Sequence, residues 1–267
     1  MKTSVALDVD GLAKTYTGHG RVVEAVRDLT FQVGRGELVC VVGPSGAGKT
    51  TLLRCVAGLL DISGGRITLD GTPVTGPPPG MAVVFQEYGR SLFPWLTVRR
   101  NVDLPLREKG VPRAERAAKV DAALAAVGLT DSADAHPWQL SGGMQQRVAI
   151  ARAIAYEPSV LLMDEPFAAV DAQTRADLED LVRDLWRTLG ITVLFVTHDI
   201  DESVYLGQRV LVLTNRPTVV LDDVAIDLPD DRDQLKTRSS PQFVDLRGRV
   251  YELVQLAKKG HRPPERS

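Results

Sequence analysis

Glu37-Leu-Val-Cys-Val-Val42 runs directly into Gly43-Pro-Ser-Gly-Ala-Gly-Lys-Thr50, and Thr51-Leu-Leu-Arg-Cys-Val-Ala-Gly-Leu-Leu60 follows. The first stretch is an unbroken apolar run, the pattern of a strand buried on both faces. The last spaces Leu52, Leu53, Val56 and Leu59 along one helical face. Between them lies a glycine-rich turn that fits the GxxxxGK[ST] pattern in its proper setting, after a strand and before a helix. Glycines let backbone N–H groups converge on phosphate oxygens, and the helix N-terminus adds its partial positive charge. The expected phosphate cradle is therefore Gly43, Pro44, Ser45, Gly46, Ala47, Gly48, Lys49 and Thr50, with Thr51 behind them. In it Lys49 reaches the β- and γ-phosphates of ATP and the Thr50 hydroxyl faces Mg2+.

Outward from this point, short β-rich runs precede the turn at Val5–Val9, Val22–Val26 and Leu29–Val33. Arg66–Leu69 with Asp70-Gly71 reads as a hairpin, and Met81–Phe85 as another buried strand. From residue 87 to 149 the chain is broken by Pro and Gly and holds an alanine-rich helix beginning near Pro112. Ala117, Val120, Leu124 and Val127 share one of its faces, and Gly128 stops it. Alternation then resumes with strand Val160–Met163, helix Ala172–Leu189 ended by Gly190, and strand Ile191–Thr197. The expected fold class is α/β: a P-loop, RecA-like core with a mostly parallel sheet, an N-terminal antiparallel region and an inserted helical sub-domain. The expected division is 1–86 with 150–215 for the core and 87–149 for the insertion. Residues 216–267 would form a C-terminal extension, with a charged connector, a helix over Pro241–Lys259 and a polar tail KKGHRPPERS of disordered composition.

Composition narrows the class. With 44% hydrophobic residues, 267 residues suffice to bury a real core. A net charge of −2 offers no global electrostatic pull toward nucleic acid or acidic lipid, and 5% aromatics argue against a single-strand binder built on stacking platforms. Cys40 and Cys55 sit in apolar runs outside any CxxC pair, which predicts two reduced, buried thiols. The N-terminus has no signal-peptide core and no apolar stretch is long enough to span a bilayer, so attachment to a membrane would need a separate anchor.

Two further constellations carry chemistry. Val160-Leu-Leu-Met-Asp164-Glu165 is an apolar strand ending in two acids, which places Asp164 at the carboxyl edge of the sheet where phosphates and metal collect. There Asp164 would hold Mg2+ through a water and Glu165 would polarise the attacking water. Leu140-Ser141-Gly142-Gly143-Met144-Gln145-Gln146-Arg147 is a second glycine-rich turn, preceding a helix over Val148–Ala155 and offering a second anion site.

Taken along the chain, the glycine-rich turn at 43–50, then LSGGMQQR at 140–147, then the strand ending in Asp164-Glu165 closely resemble the ATPase subunits of ABC transporters. The resemblance covers the chain to about Asn215. It implies a head-to-tail dimer of two copies, with each ATP held between the cradle of one and Ser141, Gly142 and Gly143 of the other. It further implies that Tyr16 stacks on adenine, Gln86 senses Mg2+ and the γ-phosphate, Asp171 belongs to the D-loop, and His198 contacts the γ-phosphate. The D-loop here reads Ala-Ala-Val-Asp171 rather than the more familiar Ser-Ala-Leu-Asp, which removes a hydroxyl and keeps the acid. Phe93, Pro94, Trp95 and Leu96 would line a groove for a permease helix. The tract SLFPWLTVRRNV and the C-terminal layout resemble the nitrate/sulfonate/taurine importers. Membership there implies transmembrane permease partners, an indirect substrate-binding protein, no nucleic acid, and a peripheral position on the cytoplasmic face of the membrane. The alternative, a soluble ABC ATPase of DNA repair or translation, calls for coiled-coil arms or a second cassette, and neither is found in the sequence.

Overall fold

The structure is a computed structural model and describes residues 4–18 and 21–261. In chain order its elements are β1 (Val5–Gly18), β2 (Arg21–Gly34), β3 (Leu38–Val42), α1 (Lys49–Val56), β4 (Gly64–Leu69), β5 (Thr72–Pro73), β6 (Met81–Val84) and α2 (Tyr88–Ser91). There follow α3 (Val98–Glu108), α4 (Arg113–Ala126), α5 (Gly142–Ala155), β7 (Val160–Asp164), α6 (Ala172–Leu189), β8 (Thr192–Val196), α7 (Ile200–Leu206), β9 (Arg209–Leu213), β10 (Val220–Ala225) and α8 (Pro241–Lys258). They fall into two compact units, Met1–Pro79 with Ile191–Ser267, and Gly80–Gly190.

In the first unit β1 pairs antiparallel with β2 and with β4, and the β4–β5 hairpin is the one expected at Asp70-Gly71. The two short strands expected at Val22–Val26 and Leu29–Val33 form one 14-residue strand. Its pairing jumps from Leu12↔Leu29 to Lys14↔Val26, so polar Arg27-Asp28 is absorbed as a bulge with Asp28 at φ 43°. β3 lies parallel to β8 on one side and β9 on the other, and Leu38 to Val41 are fully buried, which is why that run carries no polar residue. α1 stops at Val56, not near Leu60, and Leu59 stands 49% exposed instead of on the buried face.

Beyond Asn215 the expected connector contains a strand. β10 pairs antiparallel with β9 although it carries Asp222 and Asp223, because an edge strand needs only one apolar face and Val224 supplies the buried contact. α8 buries Phe243, Val250 and Val254, as its spacing implied. The tail from residue 262 lies outside the described residues. Both cysteines are free and buried, and burial pushes the Cys55 thiol up to about 11.

In the second unit β6 and β7 pair in parallel, Met81↔Val160 to Val84↔Met163. α3, α4 and α5 pack on one another, with Val98, Val102 and Leu106 of α3 and Val148 and Ile150 of α5 at most 1% exposed. α5 begins at Gly142, six residues before the helix start expected at Val148. Ser141 caps it by accepting from Met144 N at 3.3 Å, so the glycine-rich stretch is the first turn of the helix itself.

Candidate active site

In the first unit, β3 delivers the chain to Gly43 and α1 starts at Lys49. Gly48 is its N-cap, in the left-handed conformation (φ 79°, ψ 15°), and brings no capping side chain. The helix therefore opens with backbone N–H groups that no cap side chain meets, the arrangement that takes an anion. A Cβ on Gly48 would also meet Thr218 Oγ1 at 3.2 Å and Ala25 O at 3.5 Å, so glycine is required there twice over. Lys49 is 6% exposed, and its ammonium donates to Gly43 O at 3.1 Å, folded over the loop it serves. Tyr16 is 42% exposed on β1; its hydroxyl lies 3.2 Å from Thr51 Oγ1, and Lys14 Nζ sits 5.2 Å from its ring centroid. The ring is thus anchored to the first turn of α1 with area left to stack. His198 is exposed and follows β8 by two residues. Val41 pairs with Val196 and accepts from Thr197 N at 3.1 Å, so His198 stands beside the point where β3 enters the cradle.

In the second unit, Asp164 is the last residue of β7 and 4% exposed. Gln86 and Glu165 each lie two residues past the Val84↔Met163 pair, so the two stand level at the carboxyl ends of neighbouring strands. Gln86 is exposed and Glu165 half-buried; Glu165 adopts φ 43°, a left-handed conformation that costs a non-glycine residue about 1 kcal/mol or more. The Ser141 hydroxyl accepts the cap bond and keeps its hydrogen for donation outward.

Gly143 and Asp171 come together here through a residue that sequence reading missed. Thr174 N and Oγ1 both donate to the Asp171 carboxylate, at 3.0 and 2.7 Å, and hold its pKa below the usual range. The methyl of the same threonine fills the space beside Gly143, where a Cβ would be 2.4 Å away. Two other residues escaped notice. Asn101 is fully buried and ties down the loop before α3: its Oδ1 accepts from Phe93 N at 2.8 Å and its Nδ2 donates to the carbonyls of Phe93, Leu96 and Thr97 at 3.0–3.2 Å. Arg152 on α5 donates to Ser91 O and Oγ at 2.6 and 2.8 Å. An asparagine on the buried face of a helix was the only available signal for the first.

The loop that Asn101 holds displays Trp95, 69% exposed, with its ring 5.3 Å from that of Phe93. Phe93 and Leu96 are half-buried, so Trp95 alone of the three stands fully out of the surface. Trp138, 65% exposed, stacks on His136 at 4.4 Å.

Residues 26–168, from β2 past Glu165, match the ABC transporter family. The chain belongs to that family. Its relatives include the nitrate import ATP-binding protein NrtD of Synechocystis, 42% identical over 254 residues, which span 93% of this chain and 95% of that protein. The aliphatic sulfonates import ATP-binding protein SsuB of Bacillus licheniformis is 44% identical over 229 residues, 85% of this chain and 86% of that one. Among solved structures, the ATP-binding cassette MJ0796, dimeric in a post-hydrolysis state with ADP and Pi, aligns with a TM-score of 0.73 and 31% identity. It covers 84% of this chain and all of that one. This ABC ATPase is therefore homologous to nitrate and sulfonate importer subunits, and the DNA-repair or translation reading is not favoured. Among the described residues no helix is long and apolar enough to cross a membrane.

Proposed function

We propose that this ABC ATPase powers import of a small anionic solute of the nitrate, sulfonate or taurine type. It would work as a head-to-tail dimer on the cytoplasmic face of the membrane, beneath a permease fed by a substrate-binding protein. The observation that carries this reading is the length of the match to the nitrate importer subunit. At 93% of this chain it extends beyond the cassette into much of the C-terminal extension.

In this reading Lys49, the loop N–H groups and His198 neutralise the γ-phosphate, helped by Ser141 and Gly143 of the second copy. Tyr16 stacks on adenine. Glu165 orients the attacking water, Gln86 reports the state of the γ-phosphate, and Asp171 belongs to the dimer contact. The Thr50 hydroxyl, the Asp164 carboxylate and the Gln86 amide oxygen are hard oxygen donors, a set that suits Mg2+. Mg2+ keeps several waters and binds through few protein ligands plus substrate phosphates, which such a small donor set allows. When bound, Mg2+ neutralises phosphate charge. Because ATP is shared by two copies, binding closes the dimer and hydrolysis opens it, and that motion drives the permease.

The test is co-expression with a multi-span permease and binding protein of the nitrate/sulfonate/taurine type, followed by uptake of labelled nitrate, sulfonate and taurine into vesicles. ATP-dependent uptake of one of them, lost with Lys49→Ala, is the expected result. Failure to co-purify with any permease, with ribosomes or DNA retained instead, would overturn the proposal.

A further inference from the structure

Thr218 lies 171 residues from Ala47 along the chain, yet its hydroxyl donates to the Ala47 carbonyl inside the phosphate loop. Both residues are buried, Thr218 at 0% and Ala47 at 1% exposure. Thr218 is itself held on two sides. Its N–H donates to Ala25 O at 3.1 Å and its carbonyl accepts from Arg27 N at 3.0 Å, which fixes it to β2. The loop that carries it is closed at its base by Thr214, which exchanges backbone and side-chain bonds with Val219 at 3.0 Å. Asn215 on the same loop donates to Lys258 O, at the last turn of α8, at 3.2 Å. A fixed hydroxyl from the C-terminal segment thus reaches the residue immediately before the N-cap of α1.

The peptide plane makes this contact directional. The Ala47 carbonyl and the Gly48 N–H sit on opposite edges of one rigid trans peptide. Holding the carbonyl toward Thr218 aims the Gly48 N–H the opposite way, out of the buried side of the loop. The next residue is Lys49, whose backbone course follows from that plane. We infer that Thr218 is a positioning residue for ATP: it sets the Ala47–Gly48 peptide so that the loop meets phosphate already arranged. The inference rests on the nucleotide reading of residues 43–50. Pre-arrangement of this kind adds affinity by lowering the ordering cost of binding.

The test uses the full chain in ATP titrations and steady-state hydrolysis. Thr218→Val keeps the shape and deletes the donor. It should raise both the Kd and the KM for ATP about tenfold, the factor that a lost buried hydrogen bond implies. Thr218→Ser keeps the donor and should stay within about twofold of the natural chain. KM does not depend on how much enzyme is folded, so a purely structural role would lower the apparent kcat and leave KM where it was. Should Thr218→Val not fold, Thr218→Ala removes the same donor and carries the same expectation. Unchanged KM without the hydroxyl, or equal damage from serine, overturns the inference. Nucleotide binding weakened in Lys49→Ala shows in either case that the cradle reading stands. ATP binding unaffected by Lys49→Ala would remove that reading, and this inference with it.

Discussion

Glu165 combines a carboxylate at a strand end with a left-handed backbone that its side chain does not favour. Such a conformation persists where neighbours impose it, and here it falls on a half-buried acid just past the end of β7. Glu165→Gln keeps size and polarity but cannot accept a proton, so turnover should fall about 100-fold or more while ATP binding persists. Gel filtration with ATP should then show a stabilised dimer; near-normal hydrolysis would remove Glu165 from the role of base. Lys49→Ala is expected to act on binding instead. It removes a charge-assisted contact and should weaken nucleotide affinity by about tenfold to a hundredfold, read by equilibrium titration. Both residues stand out in the sequence because each sits in a contiguous motif whose residue types suit the proposed chemistry. Thr218 and Thr174 do not, since their meaning lies in partners. A threonine bonded to a carbonyl 171 positions away leaves no local pattern, and the methyl beside Gly143 shows only once α5 and α6 are placed.

Elements were legible where their period was unmixed. α6 spans the expected Ala172–Leu189 because its apolar spacing is helical and Gly190 ends it; the structure adds Asp171 as its N-cap. Boundaries failed where a side chain acted in an unforeseen way: Ser141 accepting from Met144 N drew six more residues into α5, and the acidic pair of β10 concealed an edge strand. The Asp171 cap yields a pH expectation. Its carboxyl pKa is depressed in the fold by the Thr174 bonds, so its contribution is fully present above the ordinary carboxylate pKa near 4. That contribution is lost as pH falls from there through the lower folded value. Urea midpoints measured from pH 6 down to pH 3 should therefore converge for the natural chain and Asp171→Ala at the acid end and separate above it. A gap that widens on acidification would contradict the cap.

At the scale of the whole molecule, the α/β class followed from the alternation of apolar strands and helices, whereas what the surface presents did not. Phe93, Trp95 and Leu96 read alike in sequence, but only Trp95 projects, because the loop turns its neighbours partly inward. Trp95→Ser should leave the melting midpoint almost unmoved, a surface change worth within about 0.5 kcal/mol, and leave basal hydrolysis intact. Leu106→Ala, at a position 1% exposed, should cost about 2–5 kcal/mol in the same melt. Permease co-purification and uptake should fall with Trp95→Ser, as they do when a central anchor is lost. A large drop in melting midpoint would return Trp95 to the core and withdraw it from coupling. The four hydrogen bonds of Asn101 bear on how such an encounter would proceed in time. A loop shaped in advance by a buried amide has little freedom left to surrender on contact, so docking would approach a rigid-body collision. The lifetime of the contact, rather than the speed of its formation, would then be what evolution adjusts between one permease and another.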